Sequence, residues 1–333
     1  MRLLKLLCYI LFAALLGSCD DSTLREPSAE FISYVNILSD SSYLTISEDI
    51  QFYDSLYYIS DLKNARVVML DNNLNLVKSI GDYGRGPGEF LSVTYMYIDE
   101  DSLYAYDGNK NRIIVFSTKG KFAREIEPAF SIFSKFAVID DKIISCFPYS
   151  DKPIIIMNKN GEVQNSFGSL INKYDEAQRY STNTWDILYN GDNIIAVNIT
   201  DPVIDVYDIN GNQINRYDLT DDKRFRSRYN YKNEVIRKDP SKRNSTFGII
   251  SHSAVQDSII YLLYVENKNS SAISNKLLTY NIENENINEI RLTSSTDIMP
   301  EYVISFSLNN NLLIAYDVVN SNLIKYKLIF GRD

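Results

Sequence analysis

The segment whose composition most suggests chemistry is a glycine-rich loop, Gly81-D-Y-G-R-G-P-G-E-Phe90, which holds four of the thirteen glycines. Glycine-rich loops cradle phosphates when they open a helix or carry a lysine-containing motif. This loop has no G-K-[ST] ending, Glu89 stands where G-x-G-x-x-G needs its last glycine, and the following Leu91–Ile98 is β-like. We therefore predict a bend between strands, in which Arg85 and Glu89 either pin neighbouring loops or contact a ligand.

Candidates for catalysis are few. His252 is the only histidine, so a zinc site with several histidine ligands cannot be assembled. The composition allows a Ser-His-Asp triad, but no segment resembles a nucleophile elbow. We predict that His252 is an ordinary strand residue, and we assign no catalytic residue.

Oxygen ligands for a cation are abundant, since carboxylates and amides suit calcium. The residues of this kind that fall at predicted strand ends are Asp61, Asp107, Asn109, Asn111, Asp186 and Asn198. An aspartate at a strand end is also what a turn requires, because its carboxylate accepts backbone N–H bonds. We predict no metal or other cofactor, and calcium remains the alternative.

Aromatic side chains form a third group with binding potential. Tyr83, Tyr95, Tyr149 and Trp185 fall near predicted loop ends, where their rings and polar tips would suit a sugar. Tyrosine-rich strands also pack on one another inside sheets, and the sequence leaves both uses open.

The composition indicates the elements that carry these residues. The 333-residue chain has 25 Tyr and 15 Phe against a single Trp, and its apolar runs are rich in Ile, Val and Tyr. Such residues favour strands, so the class is all-β. The net charge of −9 argues against nucleic acid as a partner, because binding a polyanion requires clustered Lys and Arg.

The N-terminus has the pattern of an export signal. A basic Met1–Lys5 precedes the apolar Leu6–Leu16, which is too short to span a membrane comfortably. Leu16-Gly17-Ser18-Cys19 resembles the lipobox of bacterial lipoproteins, which implies cleavage before Cys19 and acylation (palmitate) of that cysteine. An ordinary secretory signal is the alternative.

The acidic pair after the cysteine, Asp20-Asp21, resembles a surface-export signal of Bacteroidota lipoproteins. It implies an outer-membrane protein exposed at the cell surface, and a periplasm-facing protein is the alternative. We predict a signal peptide over residues 1–18, a tether over 19–30 and a folded domain over 31–333. Cys146 is then the only thiol left, so no intrachain disulfide is expected.

The folded part repeats itself. Asp54-S-L-Y-Y-I-S-Asp61 matches Asp101-S-L-Y-A-Y-Asp107, and each is followed by a turn and two further apolar runs. Six such units start near residues 54, 101, 141, 192, 257 and 310, a spacing typical of four-stranded propeller blades. The last unit lacks an outer strand, and Phe31–Leu38 has strand character without a unit of its own. We predict a six-bladed β-propeller closed by this N-terminal strand.

The widest gap between units, residues 221–243, carries nine basic residues against four acidic ones. We interpret it as a solvated insertion with one helical turn. A contact site for lipid headgroups or an acidic partner is the alternative.

The unit resembles NHL-type six-bladed β-propellers, and in particular the propeller lipoproteins of gut Bacteroidota. Gly81–Phe90, Leu103–Asp107 and Asn111–Phe116 carry the likeness most fully. The resemblance implies a disc with a central channel and leaves the function open. The candidate binding residues at the channel mouth are Tyr83, Arg85, Glu89, Asp107, Asn111 and Trp185.

Two functions fit these features. The first is a membrane-anchored binding module for a glycan, peptide or protein partner, using the propeller face and channel mouth. The second is a hydrolase or lyase at the channel mouth, with or without calcium. The single histidine and the lack of a nucleophile motif favour binding.

Overall fold

The computed structural model describes residues 26–171, 179–180, 182–244, 247–268, 271–293 and 300–330. They form six four-stranded antiparallel sheets arranged in a ring, so the predicted six-bladed β-propeller is confirmed. The predicted signal peptide and residues 19–25 of the predicted tether lie outside the described residues. No helix within the described ranges is long and apolar enough to cross a membrane.

The strands follow one another from the inside of each blade to the outside. Blade one contains β2 Ile50–Tyr53, β3 Leu56–Asp61, β4 Arg66–Leu70 and β5 Leu76–Ile80; blade two contains β6 Met96–Asp99, β7 Ser102–Asp107, β8 Arg112–Ser117 and β9 Phe122–Ile126. Blade three contains β10 Ala137–Ile139, β11 Lys142–Cys146, β12 Ile154–Met157 and β13 Val163–Phe167; blade four contains β14 Trp185–Tyr189, β15 Ile194–Asn198, β16 Val203–Tyr207 and β17 Gln213–Asp218. Blade five contains β18 Ile250–Gln256, β19 Ile259–Lys268, β20 Ser271–Asn281 and β21 Ile287–Arg291; blade six contains β22 Val303–Asn309, β23 Leu312–Asp317, β24 Asn322–Ile329 and the N-terminal β1 Ser28–Val35.

The middle strands of each blade are buried on both sides, whereas the outer strands are polar. In β15 and β16 every residue is buried, but five of the six residues of β17 are exposed. Neighbouring blades press their β-branched and aromatic faces together, which forms six apolar clusters around the ring. Each fully buried aliphatic or aromatic side chain contributes about 1.5–3 kcal/mol to the free energy of folding.

The ring is closed by the two ends of the chain. β1 pairs with β24 from Ser28↔Ile329 to Val35↔Leu323, which makes the N-terminal segment the outer strand of the sixth blade. Phe31 packs edge-on to Tyr326 with ring centroids 6.4 Å apart. The strand begins at Ser28, three residues before the domain boundary predicted from the sequence.

In blades one, two and six, an aspartate at the end of the second strand fastens a loop. Asp107 accepts hydrogen bonds from the backbone N–H of Leu91 (2.6 Å), Asn109 and Lys110. Asp61 accepts one from Thr45 in the same way, and Asp317 one from Tyr302. The carboxylate thus ties the turn between strands two and three to the segment that enters the blade.

The disc has two faces. We call the first the crossover face: it carries the connections between blades, such as residues 81–95 and 127–136, and the turns between second and third strands. The opposite hairpin face carries the turns between first and second strands, which begin at residues with positive φ, namely Asp54, Glu100, Asp140, Gly191, Asp257 and Asn310. Ser28 pairs with Ile329 at the end of β24 that adjoins the 310–311 turn, so the chain enters the disc on the hairpin face.

The basic insertion differs from the sequence prediction of one helical turn. Residues Lys223–Lys238 form a four-turn helix, α1, followed by a 3-10 turn over Pro240–Asn244. Asp222 caps the helix by accepting a bond from the Arg224 N–H. Phe225 is fully buried in the apolar cluster between blades four and five, and Lys232 reaches Asp201 at 3.5 Å. Packing against the propeller therefore extends a helix that the charged sequence alone does not favour.

Candidate functional site: the central channel and its crossover-face mouth

One residue of each innermost strand segment meets its counterparts at the channel axis. These six, which we call the axial ring, each lie five residues before the start of the hairpin turn, and they are Asp49, Tyr95, Lys135, Asp186, His252 and Ser305. All of them are buried or, for Tyr95, enclosed by neighbouring groups. The common offset explains why residues so far apart in the chain are brought together.

Lys135 is the centre of the axial ring. Its ammonium lies 3.1 Å from the Asp49 carboxylate and 3.2 Å from His252 Nε2, and it donates to the Ser253 carbonyl at 3.2 Å. Three acceptors therefore serve the three protons of the ammonium. The Lys135 side chain is only 8% exposed, so the pair is screened little by water.

The surroundings set the protonation states in the axial ring. Burial opposes ionisation of Asp49, but the Lys135 ammonium, His252 and the Met96 N–H together lower the pKa of Asp49 below its usual range. Burial, and then the charge of Lys135, lower the pKa of His252 to about 4. At neutral pH the centre thus consists of one ion pair and a neutral imidazole.

The second carboxylate of the axial ring behaves differently. Asp186 accepts a 2.7 Å bond from the Ser253 hydroxyl and a longer one from the Lys135 N–H. Burial raises the pKa of Asp186, and the charge of Lys135 only partly offsets that effect. The two carboxylates therefore differ in proton affinity although they occupy equivalent positions in their blades.

The axial ring does not form a nucleophile–base pair. His252 Nε2 faces Lys135 and Asp49, while Nδ1 has no hydrogen-bond partner among the described residues. The imidazole packs edge-on to Phe306 at 4.8 Å. Its contacts with Asp49 and Lys135 link blades one, three and five, so the imidazole helps to hold the blades together.

An aromatic platform borders the channel on the crossover face. It comprises Phe130, Phe133, Phe147, Tyr149 and Tyr180. Tyr149 and Tyr180 stack with centroids 6.0 Å apart, and Phe130 and Phe147 stack at 4.7 Å. Tyr149 is 49% exposed and the other four rings are half-buried, so the platform presents aromatic surface to solvent.

Tyr95 joins the platform to the axial ring, and Glu48 adjoins the axial residue Asp49. The Tyr95 hydroxyl donates to the Phe133 carbonyl at 3.3 Å. Glu48 makes no hydrogen bond or ion pair with any described residue. Burial raises the pKa of Glu48, and the adjacent charge of Asp49 raises it further. The mouth thus combines stacked rings with a carboxyl group that has no hydrogen-bond or ion-pair partner among the described residues.

Comparison with known proteins agrees with this geometry. Residues 27–274 match the DUF5128 family, described as a 6-bladed beta-propeller. The chain belongs to this family. A search of curated proteins finds no significant match.

Solved structures similar to this DUF5128 propeller share its fold at low identity. A protein from Bacteroides fragilis described as exported is 13% identical with a TM-score of 0.60, over 95% of this chain and 98% of that one. A DUF4221 family member from Bacteroides vulgatus is 10% identical (TM-score 0.55, 93% and 100% coverage). Virginiamycin B lyase from Staphylococcus aureus is 11% identical (TM-score 0.55, 91% and 100% coverage).

The glycine-rich loop of the DUF5128 propeller lies towards the outside of the disc. Glu89 folds back into its own loop and accepts a 2.6 Å bond from the Gly86 N–H. Lys110, which the sequence did not single out, donates to the carbonyls of Gly86 and Glu89. Gly88 approaches Phe122 on the outer strand β9. The loop is a blade hinge, as predicted, but its contacts are with the periphery of blade two.

The remaining predicted site residues are also distributed away from the axis. Tyr83 is 75% exposed on the hinge loop, and Arg85 is exposed beside it. Asp107 is occupied by its turn, and Asn111 accepts a bond from the Tyr106 hydroxyl at 3.0 Å. Trp185, expected to present its ring at the mouth, is 1% exposed in the cluster between blades three and four. Trp185 directly precedes the axial residue Asp186, and because side chains alternate in direction along a strand, its ring points between blades.

The calcium alternative finds no cluster of ligands. Among the described residues, no group of three His, Cys, Asp or Glu side chains is placed to hold a metal ion. Asp61 and Asp107 fasten turns, and Asn198 accepts from the N–H groups of Thr200 and Asp201. Asp61, Asp107 and Asn198 therefore perform the turn function that the sequence left open, whereas Asp186 lies in the axial ring and accepts from the Ser253 hydroxyl.

Proposed function

We propose that this propeller is an extracytoplasmic binding module that takes its ligand on the aromatic platform at the crossover-face mouth. The observation that carries the proposal is the cluster of five aromatic rings. Glu48, next to the axial residue Asp49, adds a carboxyl group that makes no hydrogen bond or ion pair with any described residue. Stacked rings bind ligands with flat apolar faces, and a carboxyl group binds their hydroxyl or amide edges. A glycan, a peptide or a protein partner that presents such a surface fits this chemistry.

The proposal includes a lipid anchor on Cys19 that holds the protein at the outer membrane, facing outward. The lipobox-like Leu16–Cys19 motif supports the anchor, and the similarity to exported Bacteroides proteins is consistent with it. Eight residues lie between Cys19 and Ser28, and this length of chain spans at most about 30 Å. Because Ser28 lies on the hairpin face, the crossover face and its platform would point away from the membrane.

The binding function is tested by a thermal-shift screen over glycans and peptides, because a ligand of the native state raises its apparent stability. For each ligand found, we expect Tyr149→Ala to weaken binding about tenfold, equivalent to 1.4 kcal/mol. Tyr83→Ala removes an even more exposed ring from the hinge loop and should leave the affinity unchanged. Equal loss in both variants, or in neither, would remove the platform from the proposal.

The anchor has its own test. Wild-type protein should incorporate labelled palmitate and sediment with membranes, whereas Cys19→Ala should be soluble and unlabelled. A wild type that never incorporates palmitate would leave the ordinary secretory signal as the explanation of the N-terminus.

The second candidate is a hydrolase or lyase, and Glu48 is the observation that favours it. A carboxyl group with a raised pKa can donate a proton in general acid catalysis. Glu48→Gln separates the two functions. Turnover of a screened substrate that disappears in Glu48→Gln supports catalysis, whereas unchanged affinity without turnover in either protein supports binding alone.

A further inference from the structure

A cavity of about 200 Å³ opens on the hairpin face, on the side of the axial ring opposite to the aromatic platform. Lys135 forms its inner end, and its walls come from all six innermost strands. Apolar cavities of about 150 Å³ already accept a molecule of benzene's size. The space is therefore sufficient for a small organic ligand, and it is separate from the crossover-face mouth.

Most of the residues that line the cavity are aromatic or aliphatic, and polar atoms are exposed among them. Phe52, Tyr97 and Tyr189 are half-buried near its opening, and Phe136 and Phe306 lie deeper. The innermost strands contribute small residues at the same level, including Ala254 and Ser307. Small side chains at these inward positions leave the space that larger ones would fill.

Two polar side chains in the cavity have acceptor capacity to spare. Ser307 is 7% exposed, and its hydroxyl makes no hydrogen bond with any described residue. Gln51 directs its amide nitrogen to both Asp49 carboxylate oxygens at 3.2 Å, so its amide oxygen is free to accept. Both groups line the cavity, so a ligand that donates a hydrogen bond finds acceptors there.

The opening is surrounded by negative charge. The hairpin turns carry acidic residues in five of the six blades, namely Asp54, Glu100 with Asp101, Asp140 with Asp141, Asp192 and Asp257. Asp99, at the end of β6, stands beside two of these turns. Burial raises the pKa of Asp99, and the like charges of Glu100, Asp140 and Asp141 raise it further.

Positive charge near the opening is limited. Lys159 approaches Asp141 at 3.9 Å, but no described basic side chain pairs with Asp99, Glu100 or Asp140. Lys135 at the inner end is neutralised by Asp49 and has all three protons occupied. The potential at the opening is therefore negative, and low-dielectric walls strengthen it.

We propose that this cavity is a second binding site, which takes a small organic ammonium ion. The aromatic rings would hold the cation by cation–π attraction and by contact with its alkyl groups. The rim carboxylates supply the opposite charge, and Ser307 and Gln51 accept from a ligand N–H or O–H. The site requires both charge and shape, so a neutral ligand of equal size should bind poorly.

The charge requirement is tested by calorimetric titration of the full-length protein with choline and with its neutral isostere 3,3-dimethylbutan-1-ol. We expect choline to bind at least tenfold more tightly at low salt, with an affinity that falls as sodium chloride is added. Nα-acetyl-lysine-N-methylamide, titrated in parallel, tells whether a lysine side chain of a peptide also enters. Equal affinity for the neutral isostere, or no binding of either ammonium compound, would overturn the proposal.

Substitutions at the rim and inside the cavity locate the site. Asp99→Asn should weaken choline binding at least threefold, whereas Glu283→Gln, which removes the same charge from an exposed outer turn, should stay within twofold of wild type. Ala254→Leu fills the cavity and should abolish binding. Ser307→Val is the second blocking variant if Ala254→Leu lowers the melting temperature strongly. Full affinity in a folded blocking variant would show that the ion binds elsewhere.

Discussion

Replacing Lys135 by methionine is the most informative perturbation of the axial ring. Methionine keeps most of the apolar stem and removes the ammonium, which leaves Asp49 fully buried without its cation. The carboxylate would keep only the Met96 N–H, the Gln51 amide and His252. Breaking a buried pair by removing one partner costs about 3–5 kcal/mol.

The same substitution acts on His252. Burial and the charge of Lys135 lower the pKa of this imidazole to about 4, while Asp49 opposes them. Without Lys135 the carboxylate is the nearest charge, and it favours the imidazolium. We expect the pKa of His252 to rise by at least one unit, and that rise recovers part of the lost stability near pH 5.

Both effects are directly measurable. Urea unfolding at pH 7 should show the unfolding free energy of Lys135→Met lowered by about 3–5 kcal/mol, which corresponds to a melting temperature lower by about 10 °C. His252 is the only histidine, so one imidazole resonance reports its titration by NMR. Lys142→Met removes an exposed lysine at the start of β11 and should change neither quantity. A loss below about 1 kcal/mol, or a His252 pKa that stays about 4, would refute the assignment of Lys135 as the centre of the ring.

Three further predictions follow from described contacts. The pKa of His252 lies below the unfolded value of about 6.5, so the unfolded chain binds the proton first as the pH falls. The unfolding free energy should therefore fall by about 3 kcal/mol between pH 6.5 and pH 4. In His252→Gln this part of the pH dependence of the urea midpoint should vanish, and an unchanged profile would contradict the prediction. In Gly84→Ala the new Cβ would lie 1.9 Å from the Glu89 carboxylate, so we expect a loss of about 1–2 kcal/mol in urea unfolding, against little change in Gly108→Ala, whose Cβ meets nothing closer than 3.8 Å. Deleting residues 26–35 exposes the edge of β24, and size-exclusion chromatography should show oligomers or aggregate; a monomer with the wild-type melting temperature would mean that closure by β1 is dispensable.

The blade pattern was predictable because it is local. Alternating apolar runs and two-residue turns recur in every unit, and the missing outer strand of the sixth unit left a place for the N-terminal strand, which pairs with β24 as β1. The helix α1 was not predictable to its full length, since its stability comes from Phe225 entering an apolar cluster that distant strands build. The candidate residues on the hinge loop were selected because the loop is rich in glycine and carries charged side chains. Both properties serve the turn itself.

The axial ring could have been predicted from the sequence, but it was not. Counting back five residues from each hairpin turn selects one residue per blade, including a lysine inside the apolar run Phe133-S-K-F-A-V-Ile139 and the histidine that we interpreted as an ordinary strand residue. A charge in such a run is a signal of a buried partner. Which partner it meets depends on ring closure, because Asp49 and His252 are neighbours across about 200 residues of chain. The aromatic platform depends likewise on the two crossovers that flank blade three and on a turn of that blade. Of its five rings, only Tyr149 was selected from the sequence.

The pairing of β1 with β24 also determines the order of events when the chain folds. Ser28 precedes the first five blades in the chain and Ile329 follows them, so the sixth sheet cannot be completed until all five have been synthesised. Contacts between such distant positions form late and slow the final step of folding. A chain exported from its N-terminus would therefore reach the far side of the membrane with its first strand still unpaired and with the binding faces not yet held in a closed ring. An interrupted chain that stops before Asn322 would retain five complete blades and an open edge, which gives quality-control proteases a clear mark of an unfinished molecule.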